Sequence, residues 1–251
     1  MPPPALRPLS LGEVLDISFG LYRSRFAPLF VVSVVCQMLP ALIMVYLSST
    51  GDALGNWALL LAYYTLAIIL SSLGVAASTF IVSDAYLGQQ ISAGNALGRA
   101  TALLGRLIMI SILSSMLIAL GFILLIVPGV VLFAGLILST VVTVLESPRS
   151  ATAAMGRSWE LTKGFRGKVL ITTMGAFILL LVPSFAVEAI WSLLGSFAGD
   201  SGGVAKLVTS SLLSMLIYPF FYVVLTVLYY DLRVRKEGFD LEVLASSLAT
   251  G

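Results

Sequence analysis

Six long apolar segments dominate this chain and limit the folds that it can adopt. They comprise residues 26–48, 57–83, 107–127, 129–145, 169–195 and 204–230. Each is near the roughly 20 residues that a helix needs to cross the hydrocarbon core of a bilayer. With 59% hydrophobic and 10% charged residues and a mean hydropathy of +1.06, the chain has too little polar surface to cover a water-soluble domain of this size. We therefore expect an all-α integral membrane protein in which six spans form a transmembrane bundle.

The basic residues fall almost entirely on one side of these segments. All but one of the 14 Lys and Arg residues precede the first segment, follow the sixth, or lie between the second and third or the fourth and fifth. Lys206 is the exception. The positive-inside bias predicts that both termini and the two long connections are cytoplasmic. There the basic residues would contact anionic lipid headgroups, and no segment has the pattern expected for binding nucleic acid.

A unit of two spans is predicted to occur three times. The first span of each unit holds a proline in its later half, and the second span ends in an acid. The prolines are Pro40, Pro128 and Pro183, and the acids are Asp84, Glu146 and Asp231. We predict three hairpins in pseudo-repeats at about residues 9–84, 91–146 and 149–231, within a single domain 1–251 that has a tail at 232–251. Pro128-Gly129 predicts a tight turn in the middle hairpin.

A short amphipathic segment precedes each predicted hairpin. Ser10, Ser92 and Ser150 begin these segments, where a serine hydroxyl can cap the first turn of a helix, and Glu13 completes a capping box with Ser10. Gly164 is placed to end the third helix. We expect three amphipathic helices that lie in the cytoplasmic interface of the membrane. The alternative is that any segment beside a membrane, with lipid on one side and water on the other, shows this pattern.

Three segments resemble a bacterial protein family. They are LSLGEVLDISFGLYRSR at 9–25, RSWELTKG at 157–164 and YYDLRVRKEGFDLEVL at 229–244. Together they resemble the glycerophosphoryl diester phosphodiesterase membrane-domain family and related six-span proteins of unknown function. The resemblance implies a multi-pass protein of the bacterial plasma (inner) membrane. In some members the domain precedes a soluble phosphodiesterase barrel that relies on His residues, but this chain contains no His, so that activity is not expected.

The residues that enzymes most often use for catalysis are missing or scattered. The chain has no His, its one cysteine, Cys36, lies within the first apolar segment, and no Gly-rich loop of the Walker type occurs. The acidic residues are spread along the connections and do not form a cluster of metal ligands. We therefore expect a non-enzymatic protein without a cofactor.

Glu188 is the one acid well inside an apolar segment. An ionisable group within a membrane is a functional candidate by default, for proton coupling or for cation binding. Its segment is long enough to place Glu188 at the outer interface beside Trp191, and we favour that structural position. Gln37 in the first span is a second polar candidate, although close helix packing explains it more simply than a translocation path does.

The three acids at the span ends have two possible arrangements. Asp84, Glu146 and Asp231 could form an acidic ring at the cytoplasmic mouth of the bundle. Alternatively each could pair with its own base, and the candidate partners are Arg99, Arg157 and Arg233. We favour separate pairs, because an acid at the C-terminal end of a helix opposes the helix dipole and usually needs a partner.

Two functions remain open from the sequence. The first is a membrane scaffold or subunit that binds lipid or a partner protein through its cytoplasmic amphipathic helices. The second is a small permease or channel for a lipid-like or small solute, acting alone or as a homo-oligomer, and it rests on Glu188, the prolines and the repeat. We favour the scaffold, because transporters usually place convergent polar groups near the midplane and the sequence shows few.

Overall fold

The computed structural model describes residues 7–50, 55–89, 91–198 and 201–239, and within these ranges the protein consists of helices and connections without a strand. The described helices are α1 (Leu11–Ser24), α2 (Phe26–Thr50), α3 (Trp57–Tyr86), α4 (Ala93–Thr101), α5 (Leu104–Leu124), α6 (Ile126–Leu136), α7 (Ser139–Glu146), α8 (Ala151–Thr162), α9 (Arg166–Ala198) and α10 (Ser201–Glu237).

Six segments of the described chain are long and apolar enough to cross a membrane, as predicted. They are α2, α3, α5, the consecutive pair α6 and α7, α9, and α10. Consecutive spans pack side by side, α2 against α3, α5 against α6, and α9 against α10. Helix α10 also packs against α1, α2 and α3, so it lies at the centre of the bundle.

The helices that precede the three hairpins, α1, α4 and α8, each begin directly after a serine, as predicted. The hydroxyls of Ser10, Ser92 and Ser150 accept hydrogen bonds of 3.1–3.3 Å from the backbone N–H three residues later. The Ser10 N–H in turn donates to the Glu13 carboxylate at 2.7 Å, which completes the capping box. Gly164 has a positive φ of 87° just after α8, as expected for a glycine that ends a helix.

The turn between α5 and α6 differs from the prediction. We expected Pro128-Gly129 to form it, but Leu125 is the residue that leaves the helical conformation, with φ −164° and ψ 154°. Pro128 lies in the first turn of α6, where proline is tolerated because its missing N–H would have no partner within the helix. Gly129 instead allows close packing, since a Cβ at this position would lie 2.5 Å from the ring of Phe122.

The second span of each predicted unit does not always end in an acid. Glu146 is the last residue of α7 and Asp84 lies two residues before the end of α3, but α10 continues six residues past Asp231 to Glu237. The expectation is therefore wrong for Asp231. The helix continues because the Asp231 carboxylate pairs with Arg235 one turn later, at 3.1 Å, instead of facing the unpaired carbonyls of a helix end.

Most of the basic side chains meet at one end of the bundle, which we call the basic end. It comprises residues 7–25, 84–106, 146–168 and 231–237 among those described, and the contacts given below link these segments. Helix α8 belongs to this end and packs against α5, α6, α7 and α10. Its buried residues are Ala151, Ala154, Met155, Ser158, Leu161 and Thr162. The apolar face of α8 is therefore covered by protein.

Candidate functional site

The first and third segments that carry the family resemblance meet at the basic end, around the buried carboxylate of Asp231, and the second segment contacts the same end of α10 through Arg157 and Glu237. This side chain is fully buried, and it accepts hydrogen bonds from the Leu9 backbone N–H at 2.7 Å and from Lys168 at 2.5 Å. Arg235 donates both to Asp231 and to the Leu9 carbonyl, which also accepts from Lys168. The N-terminal segment, α9 and α10 are thus joined by one charged and fully hydrogen-bonded cluster. Residues 240–244 of the third segment lie outside the described residues.

Arg157 joins α8 to two other helices at the same end. Its guanidinium contacts Glu146 of α7 at 2.8 Å and Glu237 of α10 at 2.5 Å. The Tyr229 hydroxyl donates to the second oxygen of Glu146 at 2.8 Å. Hydrogen bonds to Glu237 and Glu146 raise the pKa of Arg157 above its ordinary value, so this cross-link stays charged at any physiological pH.

The predicted acid–base pairs are present for two of the three acids. Arg99 contacts Asp84 at 3.1 Å, and Arg157 contacts Glu146. The predicted pair of Arg233 with Asp231 is wrong, since Arg233 contacts Glu237 at 3.0 Å while Asp231 takes Lys168 and Arg235. Residues two apart on a helix point to different faces, whereas residues four apart are neighbours. Each of the three acids thus has its own basic partners.

Glu13 forms a further pair at the basic end, outside the spans. A hydrogen bond from Arg7, together with one from the Ser10 backbone, lowers the pKa of the Glu13 carboxyl to about 2. The carboxylate is therefore ionised at neutral pH, as the cap of α1 requires. Both side chains are well exposed, so the pair contributes little to stability.

A cavity of about 340 Å³ lies between α2, α3 and α10, near the middle of their lengths. Its wall combines apolar residues with hydroxyl and amide groups. The polar members are Ser33, Gln37, Tyr63, Ser71, Ser78, Ser211, Ser214, Tyr218 and Tyr222. The volume lies within the range of about 300–1,000 Å³ typical of small-molecule sites. We call this feature the midspan cavity.

Gln37 supplies the amide of the midspan cavity. Its Nε2 donates to the Ser33 hydroxyl at 2.5 Å, and its Oε1 accepts a long hydrogen bond of 3.5 Å from Ser214. A carboxamide has two donor hydrogens and two acceptor lone pairs, so these contacts use only part of its capacity. Gln37 can therefore hold a polar group of a ligand while it remains bonded to α2 and α10.

Two prolines add backbone acceptors to the same region. Pro40 and Pro219 lie inside α2 and α10 and line the midspan cavity. A proline lacks the N–H that would bond the carbonyl four residues earlier, and here those carbonyls belong to Cys36 and Met215. Both of these residues also line the cavity. Each proline thus leaves one carbonyl without its usual helical partner, at residues that line a wall with hydroxyl and amide side chains.

The midspan cavity opens to the lateral surface of the bundle. Met44 and Tyr218, which line it, are 39% and 48% exposed. Tyr218 also borders a second, apolar cleft of about 490 Å³ against α6 and α9, lined by Phe133 and Phe177 among others. At the depth of these helix midpoints the surroundings are acyl chains, so a ligand would enter from the bilayer.

Glu188 lies on α9 away from the midspan cavity and is half exposed. It contacts Lys206 of α10 at 2.5 Å, and the two side chains are 53% and 42% exposed. It lines a separate cleft of about 280 Å³, which shares Ser214 and Tyr218 with the midspan cavity. The interfacial position of Glu188 stays a prediction, and Lys206 is a partner that the sequence analysis did not identify.

No cluster of His, Cys, Asp or Glu side chains suited to a metal ion occurs in the described part of the chain. Comparisons with protein-family models, curated proteins and solved structures found no match. The family resemblance therefore stays a prediction from the three segments.

Sequence reasoning identified Asp84, Glu146, Asp231, Arg157 and Gln37, but it missed several of their partners. These are Lys168, Tyr229, Arg235 and Glu237. A signal existed for two of them, because Asp231 and Arg235, like Arg233 and Glu237, are four residues apart. No local signal could identify Lys168, whose contact with Asp231 depends on how α9 packs against α10.

Proposed function

We propose that this protein is a non-enzymatic membrane protein that binds a lipid or lipid-like molecule in the midspan cavity. The observation that best supports this function is the set of hydroxyl and amide side chains that line one cavity near the middle of three apolar helices. A polar group at that depth is costly unless it has a partner, so a lined cavity there favours an amphipathic ligand. The lateral opening beside Met44 and Tyr218 suits a molecule that is already dissolved in the bilayer.

The basic end fits the same proposal as a rigid anchor. We propose that it faces the cytoplasm of a bacterial cell, with both termini on that side and with α1 and α4 at the anionic lipid surface. The exposed Phe19 of α1 is available to acyl chains, whereas the apolar face of α8 is covered by protein. The anionic headgroups would meet Arg7, Arg23 and Arg25, and a protein partner or further copies of the chain would bind around this end.

Lipid occupancy tests the proposal directly. Gln37→Leu and Ser214→Ala each remove polar groups from the midspan cavity. Ser192→Ala is the matched control, because Ser192, like Ser214, bonds the carbonyl three residues earlier but is exposed and lies on α9. Loss of one hydrogen bond, worth about 1 kcal/mol, lowers affinity about fivefold.

We expect native mass spectrometry of protein released from native-lipid nanodiscs to show a bound lipid. When lipid is titrated, the concentration that gives half occupancy should rise about fivefold or more in the two cavity variants, by the same hydrogen-bond value, and stay unchanged in the control. Equal occupancy in all three variants would contradict binding in the cavity.

A lipid carrier is the second candidate function, and the cleft beside Glu188 favours it. This cleft shares Ser214 and Tyr218 with the midspan cavity, so polar groups continue from the cavity toward Glu188 and Lys206. Proteoliposomes with a fluorescent phospholipid distinguish the two candidates. A binding protein leaves the movement of the lipid between leaflets unchanged, whereas a carrier accelerates it and loses this effect in Gln37→Leu or Glu188→Gln.

A further inference from the structure

The turn between α5 and α6 is apolar throughout and exposed. Phe122, Ile123, Leu124, Leu125, Ile126 and Val127 are six consecutive exposed residues, with exposures of 45–80%. No charged residue occurs between Arg106 and Glu146. The connections of the other two pairs of spans contain Asp52 and Asp200, together with Ser and Gly residues. Two of the three connections thus have the composition of a segment in water, and this one does not.

The hairpin is also short. Helix α5 has 21 residues, against 33 in α9 and 37 in α10. Arg106, near its start, must remain at the headgroup level, where its guanidinium donates to the Pro148 carbonyl at the basic end. From there to Leu124 a helix rises about 27 Å, and a typical tilt of about 20° reduces this to about 25 Å. The hydrocarbon core is about 30 Å thick, so the turn does not reach the far headgroups.

The backbone of the turn contains a single irregular residue. Only Leu125 is non-helical, and its N–H donates to the Gly121 carbonyl while its carbonyl accepts from Gly129. Pro128 removes one of the N–H groups that a helix start normally leaves unpaired. Irregular backbone is excluded from lipid because of its unpaired polar groups, and the one irregular residue of this turn has both its N–H and its carbonyl bonded.

Two glycines close the hairpin just below the turn. A Cβ at Gly121 would lie 2.6 Å from the Leu132 side chain and 3.0 Å from the Cα of Gly129, so α5 and α6 touch almost backbone to backbone. Close contact between small residues is a typical means of joining helices within a bilayer, where apolar side chains gain nothing by association. The turn therefore holds its shape without water or headgroups around it.

We propose that α5 and α6 form a re-entrant hairpin whose turn ends within the bilayer, against the acyl chains of the leaflet opposite the basic end. The two ends of the hairpin remain on the basic side, so the orientation of the other spans is unchanged. The chain then crosses the membrane fully with α2, α3, α9 and α10. The partner of the exposed surface at 122–127 is lipid and not a second protein copy.

Cysteine accessibility in reconstituted vesicles tests this proposal. On a Cys36→Ser background, Leu125→Cys reports on the turn, and Gly55→Cys, exposed at the connection before α3, is the matched control. A membrane-impermeant maleimide should label the control from one side. It should label Leu125→Cys at least tenfold more slowly from either side, and both positions should react equally in sodium dodecyl sulfate.

Nitroxide labels at the same two positions provide an independent measurement. At position 125 the label should collide more often with dissolved oxygen than with a water-soluble nickel chelate, and the order should reverse at position 55. Labelling of Leu125→Cys from the far side at the rate of the control would overturn the proposal. So would efficient disulfide cross-linking of Leu125→Cys between two copies, because the turn would then be covered by protein.

Discussion

At the scale of single residues, Asp231 shows how a charge is kept inside this protein. Its carboxylate is removed from solvent, yet it receives hydrogen bonds from the Leu9 backbone, from Lys168 and from Arg235. A buried ion pair contributes little when compared with an apolar replacement, but the loss of one partner leaves uncompensated charge. Asp231 therefore determines whether two basic side chains and the N-terminal segment stay in place.

We expect Asp231→Ala to lower the free energy of unfolding by about 3 kcal/mol, because Lys168 and Arg235, which are only 13% and 25% exposed, would lose their counter-charge. Asp84→Ala is the matched control. Its partner Arg99 is half exposed, so the loss should be at most about 1 kcal/mol. Thermal or denaturant unfolding in detergent measures both values. Equal effects of the two substitutions would contradict the role assigned to the Asp231 cluster.

The sequence identified these acids as paired but assigned Asp231 the wrong base. The sequence shows the charged residues near Asp231. It does not show which of them share a face of α10, nor how α9 packs against α10. The sequence analysis placed the end of α10 at the acid, so Arg233 looked like a flanking charge, although α10 continues and directs Arg233 to another face. Gln37 was attributed to helix packing for a similar reason, since the polar groups of α2, α3 and α10 converge only in three dimensions.

At the scale of helices, α8 and α6 are joined through a glycine. Trp159 of α8 lies against Gly135, where a Cβ would be 2.3 Å from the indole ring, and the Ser158 hydroxyl donates to the Gly135 carbonyl at 2.7 Å. The guanidinium of Arg166 lies 3.8 Å from the centre of the same indole ring. The segment RSWELTKG thus fixes α8 to α6 and to the start of α9.

We expect Gly135→Ala to destabilise the protein by about 1–3 kcal/mol, because the added methyl group has no space beside Trp159. Gly156→Ala is the control within α8. Nothing lies within 4 Å of a Cβ at that position, so the change should be neutral or should stabilise the helix by up to about 1 kcal/mol. Unfolding midpoints of both variants provide the test, and a neutral Gly135→Ala would contradict the close contact.

The helices themselves were the most predictable part of the fold. Serine caps, the capping box and Gly164 are local signals, and they correctly located the starts of α1, α4 and α8 and the end of α8. The turn after α5 was misplaced because Pro128-Gly129 resembles a turn motif, while the residue that actually turns, Leu125, has no turn propensity. Its position is determined by the contact of α5 with α6 through Gly121 and Gly129.

At the scale of the whole molecule, the distribution of charge predicts its orientation. On the Cys36→Ser background, cysteines at Asp52 and Gly199 should react with an impermeant reagent from outside the cell, and cysteines at Ser92 and Ser150 should not. Positions 52 and 199 lie outside the described residues. This labelling pattern is expected because Lys and Arg are concentrated at the basic end, and such residues favour the cytoplasmic side of a membrane. Labelling of Ser92→Cys from outside would contradict this orientation.

The spans of this protein have unequal lengths, and this affects the lipids around it. Helix α5 rises about 31 Å and α10 about 55 Å at the usual rise per residue. Helices α9 and α10 exceed the roughly 30 Å hydrocarbon core and would tilt or extend beyond it, whereas acyl chains would fill the space beyond the turn of the α5–α6 hairpin. The length that must be matched to the bilayer therefore differs between the α5–α6 hairpin and the neighbouring α9. The lateral distribution of the protein should depend on the acyl-chain length of the surrounding lipid.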